Sequence, residues 1–356
     1  MIGARIKQAR IAAGLSLRAL ADKTHNYISA QVIHKYELGK AAPGSDVLLK
    51  LAQALNVKVE FFFRPLKSEV SLTRPAYRKR SGVPEKELQS IHARVKEHLE
   101  KYLEVESLFP EGRFEKPSLP TGTERAIRKP DDIEDFARNL RKRWKLGTDP
   151  IDRPTEVLED RGVKLIMLDA DTDFDGLSCW ANKHIPVIVV RRNQTSDRLR
   201  FSIMHELGHL LLRPAKSISE EKAADRFAGA FLVPKEAALA ELGEHRQSLS
   251  FYELIDLRKK YGLSVQAWIY RAHDLGIISD SLYQKLFGFL AGRGLRNREI
   301  GGSLPVEEPK RFERLVVQGV LEELISEAKG AEFLGLSLND FRRKVEGGIV
   351  EAAAHS

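Results

Sequence analysis

The run Phe201-Ser202-Ile203-Met204-His205-Glu206-Leu207-Gly208-His209-Leu210-Leu211-Leu212 constrains this chain more than any other segment. Its apolar residues fall on every side of a helix of 3.6 residues per turn, so the helix they predict is buried all round. His205, Glu206 and His209 are then buried with it, where unpaired polar groups are costly. Residues four apart share one helix face, so both imidazoles reach one point, and Glu206 sits beside them to hold a water. Two His on a wet helix surface would be the bland reading, and apolar flanks of this kind argue against it. The spacing predicts a metal-binding helix with Glu206 as catalytic base.

A catalytic zinc takes three protein ligands and leaves one position open. Pro214 ends the first helix, and Ser217-Ile218-Ser219-Glu220 has the spacing of a capping box that opens another. If Glu220 is occupied with the cap, Glu221 is free to be the third ligand, with Glu220 as the fallback. Asp225, four residues on, is placed to hydrogen-bond a ligating His. Cys179 is the single cysteine, which excludes an intrachain disulfide and a thiolate cluster and leaves His, Asp and Glu to hold Zn2+. Zinc chemistry brings the pKa of a water towards neutrality. Glu206 would take that proton and pass it to a leaving amine, so peptide hydrolysis is the natural reaction. The apolar run Pro186–Val190 predicts a strand whose edge is offered to an extended substrate. The sequence does not identify an oxyanion donor: His184, Tyr252, Tyr270 and Tyr283 are candidates, each with a structural role as the alternative.

The net charge of +8 is concentrated at one end. Residues 1–65 carry ten Lys and Arg against four Asp and Glu, residues 66–129 fourteen against ten, and the rest 34 against 36. A basic amino-terminal third on a near-neutral body suits a polyanion, because Lys and Arg release counterions from phosphates. Within it, short helices are predicted: Ser16 caps Leu17–Asp22, Ser29 caps Ala30–Leu38, and Ser45 opens a helix carrying Leu48, Leu51, Ala52 and Leu55, with Phe61, Phe62 and Phe63 closing the core. In the Ser29-capped helix, Val32, Ile33 and Tyr36 face inward. That leaves Ala30, Gln31, His34 and Lys35 outward at the end where base edges are met. Gln31 suits adenine, and Arg10, Arg18, Lys40 and Lys50 are candidate phosphate contacts or, equally, ordinary surface charges.

A chain of 356 residues predicts two or three domains, and 25 Gly and 15 Pro spread along it exclude collagen-like and low-complexity classes. No stretch reaches the ~18 apolar residues of a membrane span, and no leader-like segment opens the chain, so a cytoplasmic protein without membrane contact is expected. The boundaries expected are 1–65 for DNA binding, 66–129 for a helical connector and linker, 130–290 for the metal domain, and 291–356 for a loop and terminal helices. The connector helix, Glu85–Ser107, carries the stripe Leu88, Ile91, Val95, Leu99, Tyr102 and Val105, which needs a partner within the chain or in a second copy. Val163–Leu168 and Pro186–Val190 are two strands of a small sheet. Gly292–Pro309 reads as an exposed loop before helices Lys310–Lys329 and Leu338–Val345.

Two resemblances lie at these residues. Residues 1–65 resemble the lambda-repressor-like helix-turn-helix domain of the Xre regulators through Gly14-Leu15-Ser16, Leu20-Ala21, Ile28-Ser29, Ile33, Tyr36-Glu37-Leu38-Gly39-Lys40, Pro43 and Leu51-Ala52-Gln53-Ala54-Leu55-Asn56-Val57. Residues from about 130 to 290 resemble the ImmA/IrrE zinc metallopeptidases through Asp175-Gly176-Leu177-Ser178, Pro186-Val187-Ile188-Val189, the zinc helix, and Glu221 to Pro234. The second resemblance also places the third ligand on Glu221. Together they imply a mainly α chain: a five-helix DNA-binding domain, set at Ser29, Ala30, Gln31, His34, Lys35, Arg18 and Lys40, and an α+β zincin-like domain with a small sheet. The function implied is an operator-binding regulator, expected as a homodimer, whose zinc endopeptidase cleaves a partner such as a repressor. The alternative is a non-proteolytic repressor or an antitoxin whose zinc domain senses a signal or binds a partner such as a toxin.

Overall fold

The computed structural model describes residues 2–63, 70–73, 84–114, 117–120, 125–169, 174–296, 298 and 300–354. The chain divides into two compact units. The first holds residues up to Leu72, Ala76–Phe109 and Val316–Ser356, and the second holds Thr73–Pro75 and Pro110–Leu315. Sixteen α-helices and a small mixed sheet dominate the described residues, so the chain is mainly α as its patterning implies. None of these helices is long and apolar enough to cross a membrane.

In the first unit, α1 (Ile2–Ala12), α2 (Leu17–Lys23), α3 (Ala30–Glu37) and α4 (Ser45–Leu55) surround Ile6, Leu20, Ile33 and Leu51, all fully buried. Ser16 and Ser29 cap α2 and α3 through their side chains, as expected, whereas α4 starts after Gly44 with no side-chain cap. The fifth element is a short 3₁₀ stretch, Val59–Phe63. Phe61 and Phe62 close the core, but Phe63 is 56% exposed, because a 3₁₀ turn repeats its face every three residues and cannot turn three consecutive rings inward. Helix α5 (Glu85–Glu106) buries Ile91, Val95, Leu99, Tyr102 and Val105. Its partner lies in the chain: Ser90 Oγ donates to the Ala12 carbonyl and Arg5 pairs with Glu100 at 2.7 Å.

The expected helix over Lys310–Lys329 is two helices. Helix α14 (Arg311–Leu321) stops where Glu323 adopts a left-handed backbone, φ +56°, and α15 (Glu327–Leu334) restarts behind Ser326, whose side chain caps it. Helix α16 covers Leu338–Ala354, longer than expected.

In the second unit, Ile185–Arg191 is an interior strand, with Lys164–Leu168 parallel on one side and Gly176–Ala181 antiparallel on the other. The strand Gly176–Ala181 is one that the apolar runs of the sequence do not predict. Thr73 adjoins it, its Oγ1 donating to the Trp180 carbonyl at 2.7 Å. The run expected to offer a free edge therefore has both of its edges paired, and Val187 to Val190 are fully buried. Across the sheet lie α8 (Ser196–Leu211) and, against it, α9 (Glu220–Leu232), with α6 (Pro130–Arg143) on α9. Their apolar faces share one core that includes Leu207, Leu211, Phe227 and Phe231.

Two stretches expected as linker and loop are built into this unit. Leu119 and Ile127 belong to its core, and Ala126–Ile127 pairs in parallel with Arg213–Pro214. The expected loop Gly292–Pro309 is largely exposed in its second half but pinned. Glu307 meets Arg200 at 2.5 Å and Thr155 Oγ1 at 3.2 Å, and Ser196 Oγ donates to the Pro305 carbonyl. Beyond it, the Lys310 and Arg311 backbone N–H groups donate to Glu159 in α7 (Pro154–Asp160), so a carboxylate caps the start of α14. Burial pushes the Glu159 carboxyl up to about 7 against those two hydrogen bonds.

Candidate functional site

His205, Glu206 and His209 all lie on α8, a 16-residue helix whose sides meet the sheet and α9. Helix α9 returns after a short turn, and its cap is Ser219, which accepts from the Lys222 N–H, rather than Ser217 as the sequence spacing suggests. Starting at Glu220, the helix carries Glu221 in its first turn and Asp225 one turn later on the same side.

These elements converge at one point. The Nε2 atoms of His205 and His209 stand 3.0 Å apart. Glu221 Oε2 is 3.4 Å from His205 Nε2, and its Oε1 is 3.5 Å from His209 Nε2. Four donors at about 2.0–2.1 Å from a tetrahedral ion are separated by roughly 3.3–3.4 Å, and the Glu221 carboxylate approaches each imidazole at about that spacing, through a different oxygen for each. Among the described residues these three form the one group of His, Cys, Asp or Glu whose ligand atoms all lie within 4.8 Å of one another. Glu220 is not in it.

The tautomer needed is set from outside the triangle. His205 Nδ1–H donates to Asp225 Oδ1 at 2.7 Å, which leaves the Nε2 lone pair directed at the shared centre. Burial disfavours charge on His205, yet the hydrogen bonds to Asp225 and Glu221, with the charge of Glu206, hold its pKa up at about 9 in the metal-free chain. Glu206 is 5% exposed and accepts a hydrogen bond from Ser178 Oγ at 3.0 Å. Cys179 is not in the group of three, and its thiol is pushed up to about 12 by burial and by Glu206.

Two contacts here are not anticipated from the sequence, although Ser178 lies in the Asp175-Gly176-Leu177-Ser178 segment that carries the metallopeptidase resemblance. Ser178 belongs to the strand Gly176–Ala181, whose register brings it opposite Ile188 and under α8. Arg125, buried and 85 residues from its partner, donates from Nη2 to the Leu210 carbonyl and from Nε to the Leu211 carbonyl. It thereby satisfies the carboxy-terminal carbonyls of the helix that carries both His. The candidate oxyanion donors are dispersed. His184 is exposed in a hairpin, Tyr252 is 77% exposed on α11 (Phe251–Tyr261), and Tyr270 and Tyr283 pack their rings at a tilt against Phe287.

In the first unit, Ser29, Gln31, His34 and Lys35 are exposed along α3, Ala30 is half-buried at its start, and Arg18 and Lys40 are exposed nearby in sequence. Ile33 is fully buried behind them. Lys50 is exposed and lies over the Tyr27 ring at 5.9 Å. Arg10 has another partner. Its Nε and Nη2 donate to the two Glu37 carboxylate oxygens at 2.6 and 2.9 Å, and Nη1 donates to the Leu15 carbonyl at 2.9 Å. That guanidinium ties α1 to the end of α3 rather than facing a phosphate.

Residues 6–62 match the helix-turn-helix family, and residues 158–273 match the peptidase M78 family, described as the IrrE N-terminal-like domain. No curated protein gives a significant match to the chain.

Proposed function

We propose, from the premise that a helix-turn-helix unit and an IrrE-like metallopeptidase domain are joined in one chain, that this protein is a DNA-binding regulator with a zinc-dependent endopeptidase acting on a partner protein. The observation that carries the proposal is the triangle of His205, His209 and Glu221 with Glu206 held beside it. Two imidazoles and a carboxylate are a donor set that suits zinc, which His205, His209 and Glu221 would hold with room left for a water. Bound there, the ion would supply Lewis acidity to that water and to a substrate carbonyl.

The chain's own residues supply the rest. Asp225 orients His205, and Glu206 takes a proton from the water and returns it to the leaving amine. The α3 surface at Gln31, His34 and Lys35 reads an operator, and Arg18 and Lys40 bind its phosphates, with a homodimer matching two half-sites. Locating the protein in the cytoplasm follows from the DNA partner.

Cells of the source organism carrying wild type or Glu206→Gln test this, by following the size of proteins encoded beside it. A neighbour shortened only with wild type supports the proposal and names the substrate. Unchanged neighbours, while regulation persists in both strains, would leave the zinc domain as a sensor or partner-binding unit in a non-proteolytic repressor or antitoxin.

A further inference from the structure

We infer that Ser178 is a positioning residue for Glu206, fixing the rotation of its carboxylate by a hydrogen bond from the sheet. The inference rests on the peptidase reading above and goes beyond it, because it assigns a role to a residue on a different element from the metal-binding helix.

Three observations place the pair. Gly176 and Ser178 are two apart on one strand, so they share a face of the sheet. Ser178 Oγ donates to Glu206 Oε2 at 3.0 Å, and both residues are buried, at 3% and 5% exposed. At Gly176 a Cβ would stand 3.0 Å from both Glu206 Cγ and Glu206 Oε1, and 3.1 Å from the Val189 carbonyl oxygen. Neighbouring positions on one strand face thus meet the two oxygens of one carboxylate, one by a hydrogen bond and the other by having no side chain.

This combination restricts a torsion that is otherwise soft. The terminal torsion of Glu is broad and roughly twofold, so a carboxylate without such contacts samples many orientations. With Oε2 held by Ser178, Oε1 is confined to the space left by Gly176. A base whose reacting oxygen is already oriented loses less freedom when it accepts a proton. A hydrogen bond to a buried charged group is also among the stronger ones a side chain makes.

Ser178→Thr and Ser178→Val test the role without a difference in shape. The two side chains are nearly isosteric and differ in the hydroxyl alone, so any strain from the added methyl is common to both. The zinc-loaded full chain is titrated with acetohydroxamate, which chelates the metal and gives up a proton to the neighbouring base. Zinc affinity is measured in parallel by chelator competition. The expected result is acetohydroxamate binding weaker in Ser178→Val than in Ser178→Thr by about 10–100-fold, with equal zinc affinity and equal melting temperatures in the two variants. Equal acetohydroxamate affinity would overturn the inference and leave the peptidase reading standing. A loss of zinc affinity confined to Ser178→Val would also overturn it, since Ser178 would then support the ligands instead. Failure of the wild type to bind zinc would overturn the peptidase reading and the inference with it.

Discussion

Gly208 faces Ala224 across the α8–α9 contact so closely that a Cβ at Gly208 would stand 3.1 Å from the Ala224 Cα, and 3.2 Å from Phe227 Cδ1. This contact sets the distance between the helix that carries both His and the helix that carries Glu221. Gly208→Ala gains up to ~1 kcal/mol of helix propensity but overpacks a backbone contact, which typically costs about 1–3 kcal/mol. The expected net result is a lower melting temperature together with weaker zinc binding, read by thermal unfolding and chelator competition on the same samples.

The proposed metal site predicts different effects for its ligands and for their supports. Glu221→Ala or His209→Ala should abolish stoichiometric zinc binding measured on the purified chain. Asp225→Asn should weaken zinc binding by about 10–100-fold, because it loosens the orientation of His205 without removing a donor. Zinc added to the metal-free wild type should raise its melting temperature, by about 4 kcal/mol of stabilisation at a thousandfold excess over the dissociation constant. Zinc that leaves the melting temperature unchanged would contradict the site.

Arg10 and Gln31 should divide cleanly between stability and recognition. Arg10→Ala leaves the Glu37 carboxylate, itself 4% exposed, without its guanidinium partner and should cost about 3 kcal/mol of folding stability. Gln31→Ala should leave the melting temperature unchanged and weaken operator binding by about 1–3 kcal/mol, the value of a good side-chain contact to a base. Lys35→Ala and Arg18→Ala should instead reduce the slope of affinity against salt, measured by fluorescence anisotropy at several ionic strengths.

The Glu159 carboxyl gives the second unit a pH dependence of known sign. In the folded chain it releases its proton near pH 7, and in an unfolded chain near the ordinary 4.5. The folded form therefore holds the proton more tightly, so this contribution to stability is complete below about pH 4.5 and is lost as pH rises through 7. The slope is at most ~1.4 kcal/mol per pH unit. Glu159→Gln should flatten that part of the profile in thermal melts run from about pH 4.5 to about pH 8. A profile as steep as wild type in the variant would assign the dependence to another group.

What is local in this protein is legible in the order of its residues. His205 and His209 converge because they are one helical turn apart, and the all-round apolar pattern of their flanks requires that turn to be buried. The caps at Ser16 and Ser29 and the stripe on α5 can be read for the same reason, since each depends on residues within a few positions of one another. Packing settled the remainder, because strand register and helix contacts join residues far apart along the chain. It made Ile185–Arg191 an interior strand, gave Arg10 to Glu37 across 27 residues, and brought Ser178 to Glu206 across 28. The spacing of Glu221 from Asp225 is written in one helix, but its 3.4 Å approach to His205 exists only because Gly208 lets two backbones meet.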